Sequence, residues 1–445
     1  MPSDEKAVIR PLGGMEYVYW LMDMAARANF VFVAKIGGRI PFQVLKAAAD
    51  VVRKASPLLD AAILPSDEHG AVFVKATGHV SVTESNVAEE DFTSSVEDEH
   101  HLRFDTETGP LFRVKSVTCG GVQNLVFTFH HSVADGISGS RMVLRFLEAA
   151  ESIMLNKRPS VSSVADFGPA EKLFPRENTG AGGFLRAMGW MARMNLNKNV
   201  LRKYATLPVD VPAPPHERRE RFIFTIMEKD AVGALIERAK SENTSLNAVL
   251  CAAQLKAISG EFTDGLARGI GHLSLVDLRN RMSPPVPGKA MNVFISTVES
   301  FHRVSPETGL WELARQVQEG ISGELDRGSH FERFPLLARL IKATKRITPN
   351  TYEGSVSLLK QGQMTRPHVS VVSNIGRIEA DKGFSSFELT DLFFAIAFSG
   401  TALFGSAINS WQGRLHQSFV YAEPCISAHR AQAMACRVCD MLMQS

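Results

Sequence analysis

The stretch Leu125-Val-Phe-Thr-Phe-His130-His131-Ser-Val-Ala-Asp135-Gly136 decides how this chain is read. Its first half is apolar, β-branched and aromatic, the make-up of a buried strand. Downstream, from Ser138 to Leu155, residues Met142, Val143, Phe146, Leu147 and Ala150 recur at helical spacing on one stripe. The two histidines therefore leave a strand and enter a turn that leads into a helix. Successive residues at a strand end point to opposite faces. His130 and His131 thus cannot share one metal ion or one substrate atom; one is expected to be buried and the other to face a cleft. Asp135 falls in the turn, where it can fold back on the histidine backbone or pair with a basic residue, and Gly136 allows a tight backbone path. Imidazole exchanges protons near neutral pH, so a histidine here suits a general base for a hydroxyl or amine nucleophile.

Outward from this junction, Leu111–Val117 and Leu125–His130 read as paired strands joined by a turn at Gly120-Gly121. Asn29–Ile36 alternates as a strand, and Pro41 opens a helix through Phe42, Leu45, Ala48, Ala49 and Val52 that ends near Ser56-Pro57. Glycines at 180, 182 and 183 and prolines near 212–215 mark a crossover linker. Within it, Phe184–Tyr204 carries Arg186, Arg193, Lys198, Arg202 and Lys203 among apolar residues. We read it as a packed helix with a solvated basic face rather than a membrane-surface segment.

The second half restarts the pattern. Strands are expected at Arg221–Ile226, Gly271–Val276, Asn292–Val298, His368–Ser373 and Ser418–Ala422. Helices are expected at Ala231–Ala239, at Ser245–Ile258 with Thr244 or Ser245 as its cap, and from Ser427 onward. This order predicts an α/β (α+β) protein of two lobes, residues 1–175 and 216–445, joined by a crossover at 176–215.

Composition excludes several classes. A chain of 445 residues exceeds one hydrophobic core, and 45% apolar with 22% charged residues is the make-up of a folded globular protein. With 49 Lys+Arg against 47 Asp+Glu, the net charge of +2 argues against a nucleic-acid binder that neutralises phosphates. Residues 1–10 lack the apolar core of a secretory signal. The uncharged run Leu392–Asn409 is interrupted by Ser, Gly and Thr and falls short of the roughly 20 apolar residues of a membrane span. It reads as a buried strand pair or core segment. Five cysteines do not make a disulfide scaffold, and Cys436 and Cys439, three apart on a helical segment, read as structural thiols. A cytoplasmic monomer without bound metal, permanent cofactor or nucleic-acid partner is expected; membrane contact is left open by the basic segment but not predicted.

His-His-Ser-Val-Ala-Asp-Gly at 130–136 resembles the HHxxxDG signature of the chloramphenicol-acetyltransferase-like superfamily, which includes peptide condensation domains, polyketide-associated acyltransferases, wax-ester acyltransferases and plant BAHD enzymes. Further blocks are similar in the right order: residues 53–59, Phe104–Arg113, residues 245–250, Val276-Asp-Leu-Arg279 with Asn292, residues 373–377 and residues 409–415. The last blocks look closest to free-standing polyketide-associated acyltransferases, and the DFGWG motif of BAHD enzymes is absent.

The resemblance implies two lobes meeting at a tunnel. An acyl thioester of coenzyme A or of an acyl carrier protein would enter from one side, and a hydroxyl- or amine-bearing acceptor from the other. His131 would be the catalytic base and His130 its buried partner. Asp135 would be structural, held bidentately by Arg279, with Gly136 keeping the turn open. Ser373 and Asn374 are placed as oxyanion or acceptor contacts by location alone. No GxSxG is present to suggest a covalent acyl-enzyme. Three rival readings are an amide-forming condensation enzyme, a non-catalytic homologue that docks a carrier or lipid, and a hydrolase with His130, His131 and Asp135 as metal ligands, which the strand geometry disfavours.

Overall fold

A computed structural model describes residues 7–159, 163, 166–196, 205–262, 264–288, 290–336, 369–381, 383–398 and 401–444. Lys198, Arg202, Lys203, Tyr204 and His368 lie outside the described residues. In chain order the first part contains β1 (Val8–Pro11), α1 (Gly14–Ala25), β2 (Asn29–Gly37), α2 (Phe42–Ala55), β3 (Ala61–Ser66), β4 (Gly70–Lys75), β5 (Ser81–Val87), α3 (Phe92–His101), β6 (Phe112–Cys119), β7 (Val122–His130), α4 (Gly136–Met154) and α5 (Gly180–Leu196). The second contains β8 (Arg219–Met227), α6 (Lys229–Ser241), α7 (Leu246–Ser259), β9 (Arg268–Asp277), β10 (Ile295–Val304), α8 (Leu310–Asp326), α9 (Ser329–Glu332), β11 (Ser370–Ile378), β12 (Glu388–Ile396), β13 (Phe404–Trp411), β14 (Arg414–Glu423) and α10 (Ala428–Met443).

The local chemistry accounts for these boundaries. Pro41 precedes α2, where a missing N–H is harmless. Gly120 and Gly121, both at positive φ, close the hairpin between β6 and β7, a geometry that only glycine adopts cheaply. Ser245 caps α7 by accepting the Ala248 N–H at 3.3 Å.

Two large mixed sheets carry the lobes. One has the order β12-β2-β7-β6-β5 and the other β10-β9-β11-β13-β14-β8, with a three-stranded sheet β1-β4-β3 beside the first. In the first sheet β7 is central, and Phe129 lies opposite Phe30 on one side and Phe112 on the other. Its flanking rings, Phe30, Phe32, Phe127, Phe129 and Phe146, are fully buried.

The domain boundary drawn from the sequence needs one correction. β12 lies within the residues assigned to the second lobe, yet it forms the edge of the first lobe's sheet, antiparallel to β2 with Phe394 opposite Phe32. It is tied back to the second sheet by Asn409 Nδ2 donating to the Leu392 carbonyl at 2.8 Å and by Arg414 pairing with Asp391 at 2.8 Å. The run Leu392–Asn409 thus supplies two buried strands, but they sit in different sheets. The second lobe lends a strand to the first lobe's sheet, so the two are not independent halves.

α5 also differs from expectation. Gly183, Ala187 and Met194 are buried and Arg193 is paired with Glu324 and Glu332, while Leu185, Met188 and Leu196 face solvent. Its exposed face is therefore partly apolar rather than uniformly basic. No described helix is long and apolar enough to cross a membrane.

Candidate active site

β7 ends at His130, and the two histidines part as the strand pleat requires. His130 is fully buried: its Nδ1 accepts the Ser132 N–H at 3.2 Å, and its Nε2 stands 3.7 Å from Asp23 on α1. His131 turns the other way. Its Nδ1 lies 2.9 Å from the Ala134 carbonyl, so Nδ1 carries the hydrogen and Nε2 keeps the lone pair. That Nε2 has no hydrogen-bond partner among the described residues. Burial pushes the imidazole down to about 4, the Asp135 charge opposing it only in part.

Asp135 organises the turn. Its side chain caps α4 by accepting the Ser138 N–H at 2.7 Å, and its second oxygen accepts the Phe294 N–H at 2.8 Å. Burial alone would raise this carboxyl, but the Arg279 charge and these hydrogen bonds hold it below the ordinary range. The Arg279 contact is a single one: Nη2 reaches Asp135 at 3.0 Å while Nη1 reaches Asp277 at 2.9 Å. The expected bidentate clamp is thus replaced by a guanidinium bridging two carboxylates. Nη2 also donates to Ser138 Oγ at 2.9 Å, and that hydroxyl donates to the Asn292 carbonyl at 2.7 Å. The turn of the first lobe is therefore bonded to the Val276–Arg279 and Asn292–Phe294 segments of the second.

Gly136 has a different reason from the one read in the sequence. It is the first residue of α4 and its φ is not positive, so no unusual turn demands it. A Cβ there would meet Ile375 Cγ2 at 2.8 Å, and absence of a side chain lets α4 approach β11.

His131 and Gly136 line a cleft between the lobes, enclosing about 410 Å³ of space open to solvent. Ile137, Leu275, Ile295, Ile375, Phe394 and Ile396 supply apolar walls, and Asp277, Ser373 and Asn374 a polar side. Ser373 and Asn374 are therefore brought to the same cleft as His131. Asn374 is already engaged, donating from Nδ2 to Asn247 at 3.0 Å and accepting the Gly376 N–H at 2.9 Å. Among the described residues no group of three His, Cys, Asp or Glu is placed to hold a metal ion.

Sequence reasoning missed the first helix. Ser132 Oγ donates to the Glu16 carbonyl at 2.8 Å, which docks α1 on the histidine turn. Tyr19 of the same helix then lies flat against His131. Its only signal in the chain is an aromatic-rich helix, which reads equally well as core. Phe394 and Ile396 were missed because β12 was not expected to cross between lobes.

Residues 224–431 match the family described as phthiocerol/phthiodiolone dimycocerosyl transferase C-terminus. The chain is 24% identical to the phthiocerol/phthiodiolone dimycocerosyl transferase of Mycobacterium ulcerans (strain Agy99) over 345 residues, 76% of this chain and 78% of that protein. Among solved structures it superposes on polyketide synthase associated protein 5 of Mycobacterium tuberculosis with a TM-score of 0.68 at 16% identity, covering 99% of each chain. The trichothecene 15-O-acetyltransferase TRI3 of Fusarium sporotrichioides matches with a TM-score of 0.73 at 11% identity, over 98% of this chain and 94% of that one. The starter condensation domain of rhizomide synthetase, determined with C8-CoA, gives a TM-score of 0.65 at 16% identity, over 97% and 94%. The chain thus has the two-lobed fold shared by these acetyltransferase and condensation-domain structures, and its residues 224–431 are similar to the C-terminal region of the phthiocerol/phthiodiolone dimycocerosyl transferase family.

Proposed function

We propose that this protein is an acyltransferase that moves an acyl group from a coenzyme A or acyl-carrier-protein thioester to a hydroxyl of a small-molecule, lipid or polyketide acceptor. The observation that carries this reading is the single unpaired nitrogen of His131, Nε2, on the wall of a cleft formed by both lobes. Nδ1 is committed to the Ala134 carbonyl, so only Nε2 is left to take a proton. The names of the similar proteins, a dimycocerosyl transferase and a 15-O-acetyltransferase, support acyl transfer to oxygen.

In this mechanism Nε2 removes the acceptor O–H proton as the oxygen attacks the thioester carbonyl carbon. The tetrahedral intermediate collapses with cleavage of the C–S bond, and the imidazolium returns its proton to the leaving thiolate. The acyl group passes directly, and no residue is acylated. General-base assistance of this kind contributes about 10²–10⁴-fold. Asp135 does not touch the imidazole; it holds the turn and lends a negative charge nearby. The seven apolar side chains of the cleft, Val276 included, suit an acyl chain, and Ser373 would offer a hydroxyl on the same cleft. Free-thiol release from acyl-coenzyme A with alcohol acceptors, compared between wild type and His131→Ala, tests the reading.

A further inference from the structure

The rings of Tyr19 and His131 are parallel, with centroids 3.8 Å apart and 5° between their planes. Phe30 of β2 meets the same imidazole edge-on at 5.1 Å and 62°. With Nδ1 held by Ala134, contacts from α1, β2 and the turn fix the ring, and Nε2 is the nitrogen left without a hydrogen-bond partner among the described residues. α1 is itself anchored rather than loosely packed. Glu16 Oε2 accepts the Gly13 N–H and pairs with Arg10 at 2.7 Å, and the Glu16 carbonyl accepts the Ser132 hydroxyl. Tyr19 follows Glu16 by three residues and so shares its helix face.

We propose that Tyr19 is a positioning residue for His131, acting through its ring: the stacked face sets the imidazole plane and favours the imidazolium formed when the acceptor proton is taken. This rests on His131 being the base. The argument is electrostatic. A cation over an aromatic face is attracted by the ring quadrupole, most strongly in a dry site. His131 is 2% exposed, so its imidazolium receives little help from water. Among the described residues the charged and titratable groups around it are few. Asp135 in the turn favours the cation, His130 at the end of β7 opposes it, and Asp277 of β9 lies on the same cleft. Arg333 stands near Tyr19. The Tyr19 hydroxyl contributes no charge, because burial and then Asp135 raise its pKa and keep it a phenol.

The test uses the full chain with Tyr19→Phe, Tyr19→Leu and Tyr19→Trp, read by thiol release and by the NMR titration of His131, assigned by its loss in His131→Gln. Tyr19→Phe and Tyr19→Trp keep a stacked ring and should stay within about twofold of wild type in kcat. Tyr19→Leu should lose about tenfold in kcat with KM within about twofold, and its His131 midpoint should fall by about one pH unit. Should Leu prove unstable, Phe and Trp carry the comparison against Tyr19→His, whose ring stacks more weakly. Wild-type kcat and midpoint in Tyr19→Leu would overturn the proposal, as would a loss in Tyr19→Phe equal to that in Tyr19→Leu. If no protein releases thiol from acyl-coenzyme A or from an acyl carrier protein, the acyl-transfer reading fails on its own, and the midpoints still decide the role of Tyr19.

Discussion

Arg279 and Asp135, 144 residues apart, form a buried ion pair at 3.0 Å that joins the histidine turn of one lobe to the β9 segment of the other. Both side chains are nearly inaccessible to water, whereas Asp277, the second carboxylate on the same guanidinium, is about one-third exposed. Charges in these two settings are not equivalent, and their removal should have different effects.

Arg279→Ala leaves the Asp135 carboxylate buried without its cation, and such a loss costs about 3–5 kcal/mol. Activity and stability should fall together, because the same turn positions His131. Asp277→Ala removes only the more exposed partner and should cost no more than about 1 kcal/mol. Urea unfolding of the two variants checks the ranking; equal losses would contradict it.

Gly136→Ala probes the contact between lobes. The new methyl group would sit 2.8 Å from Ile375 Cγ2, so Ile375 must move, and it lines the cleft. Overpacking of this kind costs about 1–3 kcal/mol. The expected result is a larger loss of rate with long acyl chains than with short ones, measured across a series of acyl-coenzyme A donors.

Acid should destabilise the protein before its carboxylates titrate. Burial lowers the pKa of His130 and His100, and holds His131 and His330 at about 4. In the unfolded chain each titrates near 6.5, so on acidification the unfolded state takes up protons first. The contribution of His131 is fully present above about pH 6.5 and is lost as pH falls from there to about 4, at about 1.4 kcal/mol per pH unit. His131→Gln should flatten this part of the curve, and the difference between its unfolding free energy and that of wild type isolates the effect. The same depressed value keeps His131 neutral above about pH 5, so kcat/KM should be level there and fall towards pH 4.

Metal removal should change nothing. The two histidines face opposite ways and Asp135 is consumed by Arg279 and by backbone N–H groups. Turnover after prolonged chelation is expected to equal that of the untreated protein, and a large loss restored by added metal would contradict this.

Much of this arrangement was legible in the chain because local chemistry encodes it. Alternation located β2, the apolar runs on either side of the Gly120-Gly121 turn located β6 and β7, and the strand pleat separated His130 from His131. What was not legible depends on approach between distant segments. Nothing local in Glu388–Ile396 says that it joins the first sheet, since a buried strand has the same apolar run in either lobe. Gly136 looks like a turn residue until Ile375 is beside it. Tyr19 looks like core until its helix docks on Ser132. The bridging of Asp135 and Asp277 by one arginine likewise needs β9 to end where it does.

The most direct measurement is free-thiol release from a panel of acyl-coenzyme A thioesters with alcohol acceptors, comparing wild type with His131→Ala at pH 7. The account predicts acceptor-dependent release by wild type and a loss of about 10²–10⁴-fold in a folded His131→Ala protein. Near-normal turnover in His131→Ala would contradict it.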